Sequence, residues 1–408
     1  MERNIKLVEN EKSRGMKFIL FLISPLLSLI YSLNSLNTKS SRVVIFLFCL
    51  FFGLAFTVTD IRTEGSPDGI TYRSLFQDYH GIGKEAYQQT AQEYFTFSGV
   101  VKDFYADTMA YVVSRFTDNY HIFFMVIAMV FAFFQIKTLK YLTDNKNFVA
   151  GVTCLLLVFL FTFVSIKNIN GLRFWTAYWI ACYCLFRLIL DKRLIYLIPI
   201  ATLPFFHASF VVVWILVGLY YTTGNLSRIW TFLLILSLFL GNLSLSLIQE
   251  NASYLPEFLT RFVDYYASDE VVARVNAAGS GFYLMDRIFP VLVNIYLNVM
   301  LLLINRERSK TMDPATKRLL AFTVIVVSFA NFVMPIPSLG KRFMILSYPL
   351  IAYLWLDVFG THRYKNYLYI MPIVFFMSIY HLIEAYVQNV DVLFYISSPI
   401  IDLETVLK

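Results

Sequence analysis

The sequence predicts an all-α polytopic membrane protein. Apolar residues make up 58% of the 408 positions and charged residues only 15%. The charges gather in short gaps between apolar runs, where a soluble core would leave them spread evenly. About twelve of these runs approach the ~20 residues that cross a hydrocarbon core. The net charge of +7 then reads as membrane topology and anionic ligands, which excludes nucleic-acid binding as the leading class.

Taken in order, the apolar segments are 18–36, 43–59, 121–141, 148–166, 172–190, 194–206, 208–221, 229–248, 284–304, 319–333, 343–359 and 367–386. The first is too long for the apolar core of a cleavable signal and lacks a cleavage site. The stretch 194–221 is long for one crossing and short for two, and it contains Pro199, Pro204 and His207. Reading it as two short segments, a hairpin kinked around 204–207, puts most basic clusters on one face. These are Lys137/Lys140/Lys146, Arg187/Lys192/Arg193, Arg228, Arg306/Arg308/Lys310/Lys317/Arg318 and Arg363/Lys365. A single crossing would break the positive-inside bias at its richest loop. The hairpin reading leaves a long hydrophilic segment with amphipathic helices, 60–120, on the outer face. The loop 249–283 and the turns at 165–175 and 335–342 join it there. Together these form one integral membrane domain over 1–408. At the N-terminus the charges conflict: Arg3, Lys6, Lys12, Arg14 and Lys17 look cytoplasmic, yet Lys39 and Arg42, beyond the first run, do too. A start at Met16 would remove most of the conflict.

The outer face carries more cations than that bias allows: Arg62, Arg115, Lys167, Arg173, Arg261, Arg274, Arg287, Lys341 and Arg342. Such an excess points to a bound anion. In Ser165-Ile-Lys167-Asn168-Ile-Asn170-Gly171-Leu172-Arg173, Arg173 falls in the first turn of a helix, where a cation opposes the dipole and favours a partner. An arginine fork matches phosphate oxygens bidentately; a snorkelling interfacial anchor is the plain alternative. Lys341-Arg342 follows a Pro/Gly-shaped turn and reads as an anion clamp. His207, between two half-length apolar runs, is either a candidate base or a core histidine satisfied by backbone freed near Pro204. Asp68 opens an amphipathic helix with Tyr72 and Phe76 on one face. It serves as a cap, or as a carboxylate that orients an arginine or a sugar hydroxyl. The segment 104–116 has helical apolar spacing through Ala106, Met109, Ala110, Val113 and Phe116. Asp264-Tyr265-Tyr266, with Asp269-Glu270, is the most acidic outer patch and reads by default as a solvated loop. Asp286/Arg287 and His381/Glu384 read as local pairs. Cys49, Cys154, Cys182 and Cys184 sit in apolar runs without zinc spacing and read as inert thiols. No Walker loop, dinucleotide fingerprint, HExxH or nucleophile elbow occurs. No Asp-x-Asp pair marks a metal site for a nucleotide sugar.

The order of motifs resembles the EpsG-like branch of the Wzy-type polymerases of O-antigen, capsule and exopolysaccharide. The matching pieces are Arg62…Gly65-Ser-Pro-Asp68-x-x-x-Tyr72-x-x-x-Phe76, Asn170-Gly-Leu-Arg173-x-x-x-Ala177, Phe206-His207-Ala-Ser209 and Gly340-Lys-Arg342. The family pattern has Gln after the second arginine; here it is Phe174. The resemblance implies a bacterial inner-membrane enzyme without a cofactor. It would transfer a growing glycan from undecaprenyl diphosphate to a lipid-linked repeat unit at the periplasmic face. The resemblance implies His207, Arg173 and Asp68 as catalytic residues. It implies Arg62, Tyr72, Lys167, Asn170, Lys341 and Arg342 as substrate-binding ones. The implied partners are the lipid-linked oligosaccharide, membrane lipid, and the flippase and chain-length regulator of the same pathway. Two other classes fit the bulk features: a flippase for the same lipid-linked substrate, and another outer-face transferase such as an O-antigen ligase or acyltransferase. A flippase would line a midplane path with polar residues; here the polar weight lies at one face.

Overall fold

A computed structural model describes residues 11–58, 68–81, 84–96, 104–145, 164–224, 226–251, 254, 288–307, 312–336, 339–359 and 390–400. Every regular element among the described residues is helical. They fall into two compact units. The first comprises Met1–Leu188, Arg193–Val213 and Ser378–Lys408; the second comprises Ile189–Lys192 and Trp214–Met377.

The first unit opens with a correction to the sequence reading. The run 18–36 is two helices, α1 (Glu11–Ile23) and α2 (Pro25–Leu33), broken at Ser24. Ser24 caps α2, accepting from the Leu27 amide, and Pro25 occupies the first helical position, where its missing N–H costs nothing. The chain reverses there. Lys17 Nζ donates to Thr38 Oγ1 at 3.0 Å and Ser40 Oγ at 2.9 Å, and Ser28 Oγ donates to the Lys17 carbonyl at 2.7 Å. One continuous helix would hold residues 17 and 38 about 30 Å apart. Periodicity could not reveal the turn, because a single Ser-Pro inside an apolar run leaves its hydropathy almost unchanged.

The α1–α2 hairpin is polar inside and apolar outside. Lys17, Ser28 and Ser32 are fully buried while Ile19, Leu22, Ile23, Leu27 and Ile30 are about half exposed. This inversion suits a chain whose solvent is hydrocarbon, since buried polar groups satisfy one another and the apolar face meets lipid.

Helix α3 (Lys39–Ala55), capped by Thr38, packs closely along α7 (Tyr120–Thr143). Gly53 permits this approach: a Cβ there would stand 2.6 Å from Ala128 Cβ and 2.8 Å from the Phe124 carbonyl oxygen. Between them come α4 (Asp68–Gly81), α5 (Lys84–Thr96) and α6 (Tyr105–Ser114). The buried side of α6 is Ala106, Ala110 and Val113, as its spacing predicts, while Phe116 just beyond it is exposed. A 3₁₀ turn, Ile166–Gly171, leads straight into α8 (Leu172–Ile189). The stretch 194–221 is broken where the proline pattern predicts. Short helical turns Leu197–Ala201 and Leu203–Phe206 stop at His207, whose backbone is extended, and α9 (Val211–Thr223) starts after a second 3₁₀ turn.

The second unit contains α10 (Ser227–Ser237), α11 (Gly241–Glu250), α12 (Phe289–Glu307), α13 (Pro314–Phe332) and α14 (Leu339–Phe359). A buried amide pair ties α12 to α13: Asn331 Nδ2 donates to Asn298 Oδ1 at 2.8 Å. Asp313 caps α13 by accepting from the Ala315 and Thr316 amides. Such side-chain bonds hold helices together where lipid gives no hydrophobic drive.

Two helices, α7 and α13, are each long and apolar enough for a crossing, and shorter apolar helices accompany them. Of the runs read from the sequence, 18–36 is a helical hairpin and 194–221 is broken into two parts, as its prolines predict. The runs 148–163 and 367–386, and nearly all of the loop 249–283, lie outside the described residues.

Candidate functional site

Helix α4 organises the site in the first unit. Its first amides have no partner within the helix. The Gly69 N–H donates to Asn170 Oδ1 at 2.8 Å, so an asparagine 101 residues away caps it. Only glycine allows this, because a Cβ at 69 would lie 2.5 Å from that oxygen. One turn further on, Arg173 Nε donates to the Tyr72 hydroxyl at 2.8 Å, again across 101 residues. The two rungs share one register, so the starts of α4 and α8 run side by side. The Arg173 guanidinium carbon also lies 5.5 Å from the Tyr72 ring centroid, adding a cation–π contact. Asp68 opens α4, where its carboxylate suits the helix dipole. It stands 4.0 Å from where a Gly171 Cβ would be. Four residues of the sequence-read constellation, Asp68, Tyr72, Asn170 and Arg173, thus meet. Lys167 is half-buried on the same 3₁₀ turn.

Phe174 explains its departure from the family pattern by packing. It is buried, edge-on to the His207 ring at 5.2 Å and 5.0 Å from Phe210. His207 is itself buried, and its Nδ1 accepts from the Ser209 backbone N–H at 3.3 Å and lies 2.8 Å from Ser209 Oγ. A backbone N–H can only donate. Nδ1 is thus engaged by Ser209 through both its backbone N–H and its hydroxyl. In this geometry His207 caps the 3₁₀ turn Ala208–Phe210.

Two further residues, absent from the sequence reading, complete the site. Tyr72, Phe76 and Tyr79 form the buried stripe of α4. Phe76 stacks on Phe123 at 5.0 Å. Tyr79 donates to Asp107 Oδ1 on α6 at 3.0 Å. Burial raises the Asp107 carboxyl above the ordinary carboxylate range, against the opposing effects of the Tyr79 bond and the Arg173 charge. Burial likewise pushes the Tyr79 phenol up to about 12. The i, i+7 spacing of Tyr72 and Tyr79 signals that Tyr79 needs a polar partner but does not say which. Two phenols on one buried stripe need two polar partners.

Helix α6 is tied to the break before His207. The Phe104 amide donates to the Phe205 carbonyl at 3.0 Å, and Tyr105 packs on Phe206 at 4.4 Å. Around this junction Tyr87 stacks on Tyr111 at 4.2 Å and on Phe104 at 5.2 Å. Arg115, counted among the anion-seeking cations, donates to the Tyr79 carbonyl. Arg73 donates to the Val58 carbonyl and lies 4.0 Å over the Tyr120 ring.

Lys341 and Arg342 belong to the second unit, in the first turn of α14. Arg62, Asp264–Glu270, Asp286/Arg287 and His381/Glu384 lie outside the described residues. Cys49, Cys182 and Cys184 are buried. Among the described residues no group of three or more His, Cys, Asp or Glu side chains could hold a metal ion.

The sequence profile of the EpsG family matches residues 44–397, most of the chain. The chain belongs to the EpsG family. No curated protein and no solved structure matches it. Membership in the EpsG family, with the lipid-facing apolar helices, makes this a membrane protein of polysaccharide biosynthesis. The matched stretch contains Asp68, Tyr72, Asp107, Asn170, Arg173 and His207, so the site of the first unit lies within the part that matches the family.

Proposed function

We propose that this EpsG-family protein is a glycan polymerase. It transfers a growing chain from undecaprenyl diphosphate to a hydroxyl of a lipid-linked repeat unit at the periplasmic face of the inner membrane. The observation that carries this reading is Arg173, locked at a helix start by Tyr72 and by the Asn170–Gly69 rung. A guanidinium held in place in advance stabilises charge that develops on a leaving diphosphate, without reorganising during the reaction. Asp68 and Tyr72 position the sugar and the arginine, Asn170 and Lys167 shape the same turn, and His207 contributes its imidazole beside Phe174. Arg62 serves as a further phosphate ligand, and Lys341 and Arg342 form an anion clamp of the second unit. The donor is a lipid diphosphate, and arginine supplies the charge neutralisation that a metal gives other transferases.

The test uses purified protein in proteoliposomes and lipid-linked repeat units extracted from a strain lacking the gene. A ladder of lengthened glycans, with free lipid diphosphate released at each step, is the expected result. Transfer of the substrate across the bilayer with no new glycosidic bond would instead assign a flippase.

Sidedness belongs to the same proposal. The α1–α2 hairpin brings Lys17 to Thr38 and Ser40, which supports placing both the N-terminal cations and Lys39/Arg42 in the cytoplasm. Cysteines placed at Lys12 and Lys39 in a Cys154→Ala background should both resist a membrane-impermeant maleimide in intact spheroplasts and react after lysis. Labelling of only one of them before lysis would reject the arrangement.

A further inference from the structure

The polymerase chemistry needs a base for the acceptor hydroxyl, and His207 Nδ1 is committed to Ser209. Among the carboxylates of the first unit whose burial is described, Asp68, Asp78, Glu85, Asp118 and Asp391 are exposed, Asp144 is paired with Arg42 at 3.1 Å, and half-buried Glu93 accepts from Gln89 of its own helix at 3.1 Å. Asp107 differs from these. It is half-buried, its Oδ1 is oriented by the Tyr79 hydroxyl of another helix, and it lies close enough to Arg173 for that charge to stabilise its ionised form.

The placement follows from α4. Tyr72 holds the arginine and Tyr79 holds the acid, two turns apart on one stripe, or about 10 Å along the axis. A reacting train has comparable length. It needs ~3 Å from base to acceptor oxygen and ~3 Å from that oxygen to the anomeric carbon. The remainder accommodates the bond to phosphorus and the phosphate contact with the guanidinium. The stacked rings of Tyr87, Phe104 and Tyr111 flank the acid's end of the site. Sugars are bound by such faces combined with carboxylates, whereas a diphosphate would be repelled from Asp107.

We infer that Asp107 is the catalytic base of this site and that Tyr79 positions it. The inference rests on the polymerase reading above. The acceptor hydroxyl gives its proton to the Asp107 carboxylate while its oxygen bonds to C1 of the donor sugar. The C1–O bond to the diphosphate breaks, and its electron pair leaves with the diphosphate, which Arg173 receives. The proton then passes from Asp107 to water. Burial, by raising the carboxyl's affinity for a proton, makes it a stronger base than an exposed aspartate.

The experiment compares wild type, Asp107→Asn, Asp107→Ala and Tyr79→Phe in proteoliposomes supplied with the extracted lipid-linked repeat units. Asp107→Asn should lower kcat by about 10²- to 10⁴-fold with the donor KM near that of wild type. Added formate should restore part of the turnover of Asp107→Ala, which a merely structural role would not allow. Wild-type turnover in Asp107→Asn overturns the inference and leaves the polymerase intact. Absence of elongation by wild type itself overturns both. Should the Asp107 variants fail to fold, Tyr79→Phe decides. Lowered kcat at unchanged donor KM supports the positioning, and unchanged kcat overturns it.

Discussion

Cells whose only copy carries Arg173→Ala are expected to accumulate lipid-linked single repeat units and to make no long polymer. The substitution removes the charge, the Nε–H donated to Tyr72 and the cation–π contact together. Loss of one donor aimed at a developing anion costs about 10²–10³ in rate, roughly 2.7–4 kcal/mol. Arg173→Lys should fall nearly as far. Lysine keeps a charge but offers neither the planar fork nor an Nε–H alongside it, so it cannot hold Tyr72 and address phosphate at once. Tyr72→Phe should be milder, because it removes one hydrogen bond from a charged donor, worth about 1.5–3 kcal/mol, and leaves the charge and the ring beneath the guanidinium. Length profiles of the polymer from the three variants check the order. Wild-type chain lengths in Arg173→Ala would remove the arginine from the chemistry.

Gly340→Ala is expected to be the most damaging single-methyl change to the second unit. A Cβ at 340 would lie 2.3 Å from Met334 Cα, 2.6 Å from the Val333 carbonyl oxygen and 2.7 Å from the Met334 amide nitrogen. All three are backbone atoms, so no side chain can swing aside. The turn is held on both sides, with Val333 bonded to Phe329 and the Leu339 amide donating to the Ile336 carbonyl at 3.2 Å. Overpacking of this kind costs about 1–3 kcal/mol and more where backbone must move. The expected readout is a lower melting temperature in detergent and a loss of monodisperse protein, with Lys341 and Arg342 displaced along with α14. Melting at the wild-type temperature would mean that the 333–340 turn relaxes more easily than its bonds suggest. Gly53→Ala is the corresponding test in the first unit, since a Cβ there would meet Ala128 Cβ at 2.6 Å and the Phe124 carbonyl oxygen at 2.8 Å.

Much of the site was legible because its residues sit in short local patterns. Asn170-Gly-Leu-Arg173 marks a helix start carrying a cation, and Asp68-x-x-x-Tyr72 marks another helix with one polar stripe. Local patterns did not say that Asn170 caps α4, that Phe174 packs on His207, or that Ser209 occupies the histidine's Nδ1. Asp107 was invisible for the same reason. Ala-Asp-Thr within an amphipathic helix has no distinguishing spacing, and its partner Tyr79 lies on another element. The hairpin at Ser24–Pro25 escaped because a run of apolar residues reports its length without reporting a fold-back.

By itself the sequence determined the helical class, the lipid environment and the breaks near Pro204 and Gly340. Each of these is written in run length, helical period or one residue's backbone geometry, and each acts over a few positions. Only the tertiary structure decided which polar atoms meet: Gly69 with Asn170, Tyr72 with Arg173, Tyr79 with Asp107, Lys17 with Thr38. The physical reason is that a buried hydrogen bond depends on two helices reaching one register, and that register is set by packing summed over both elements.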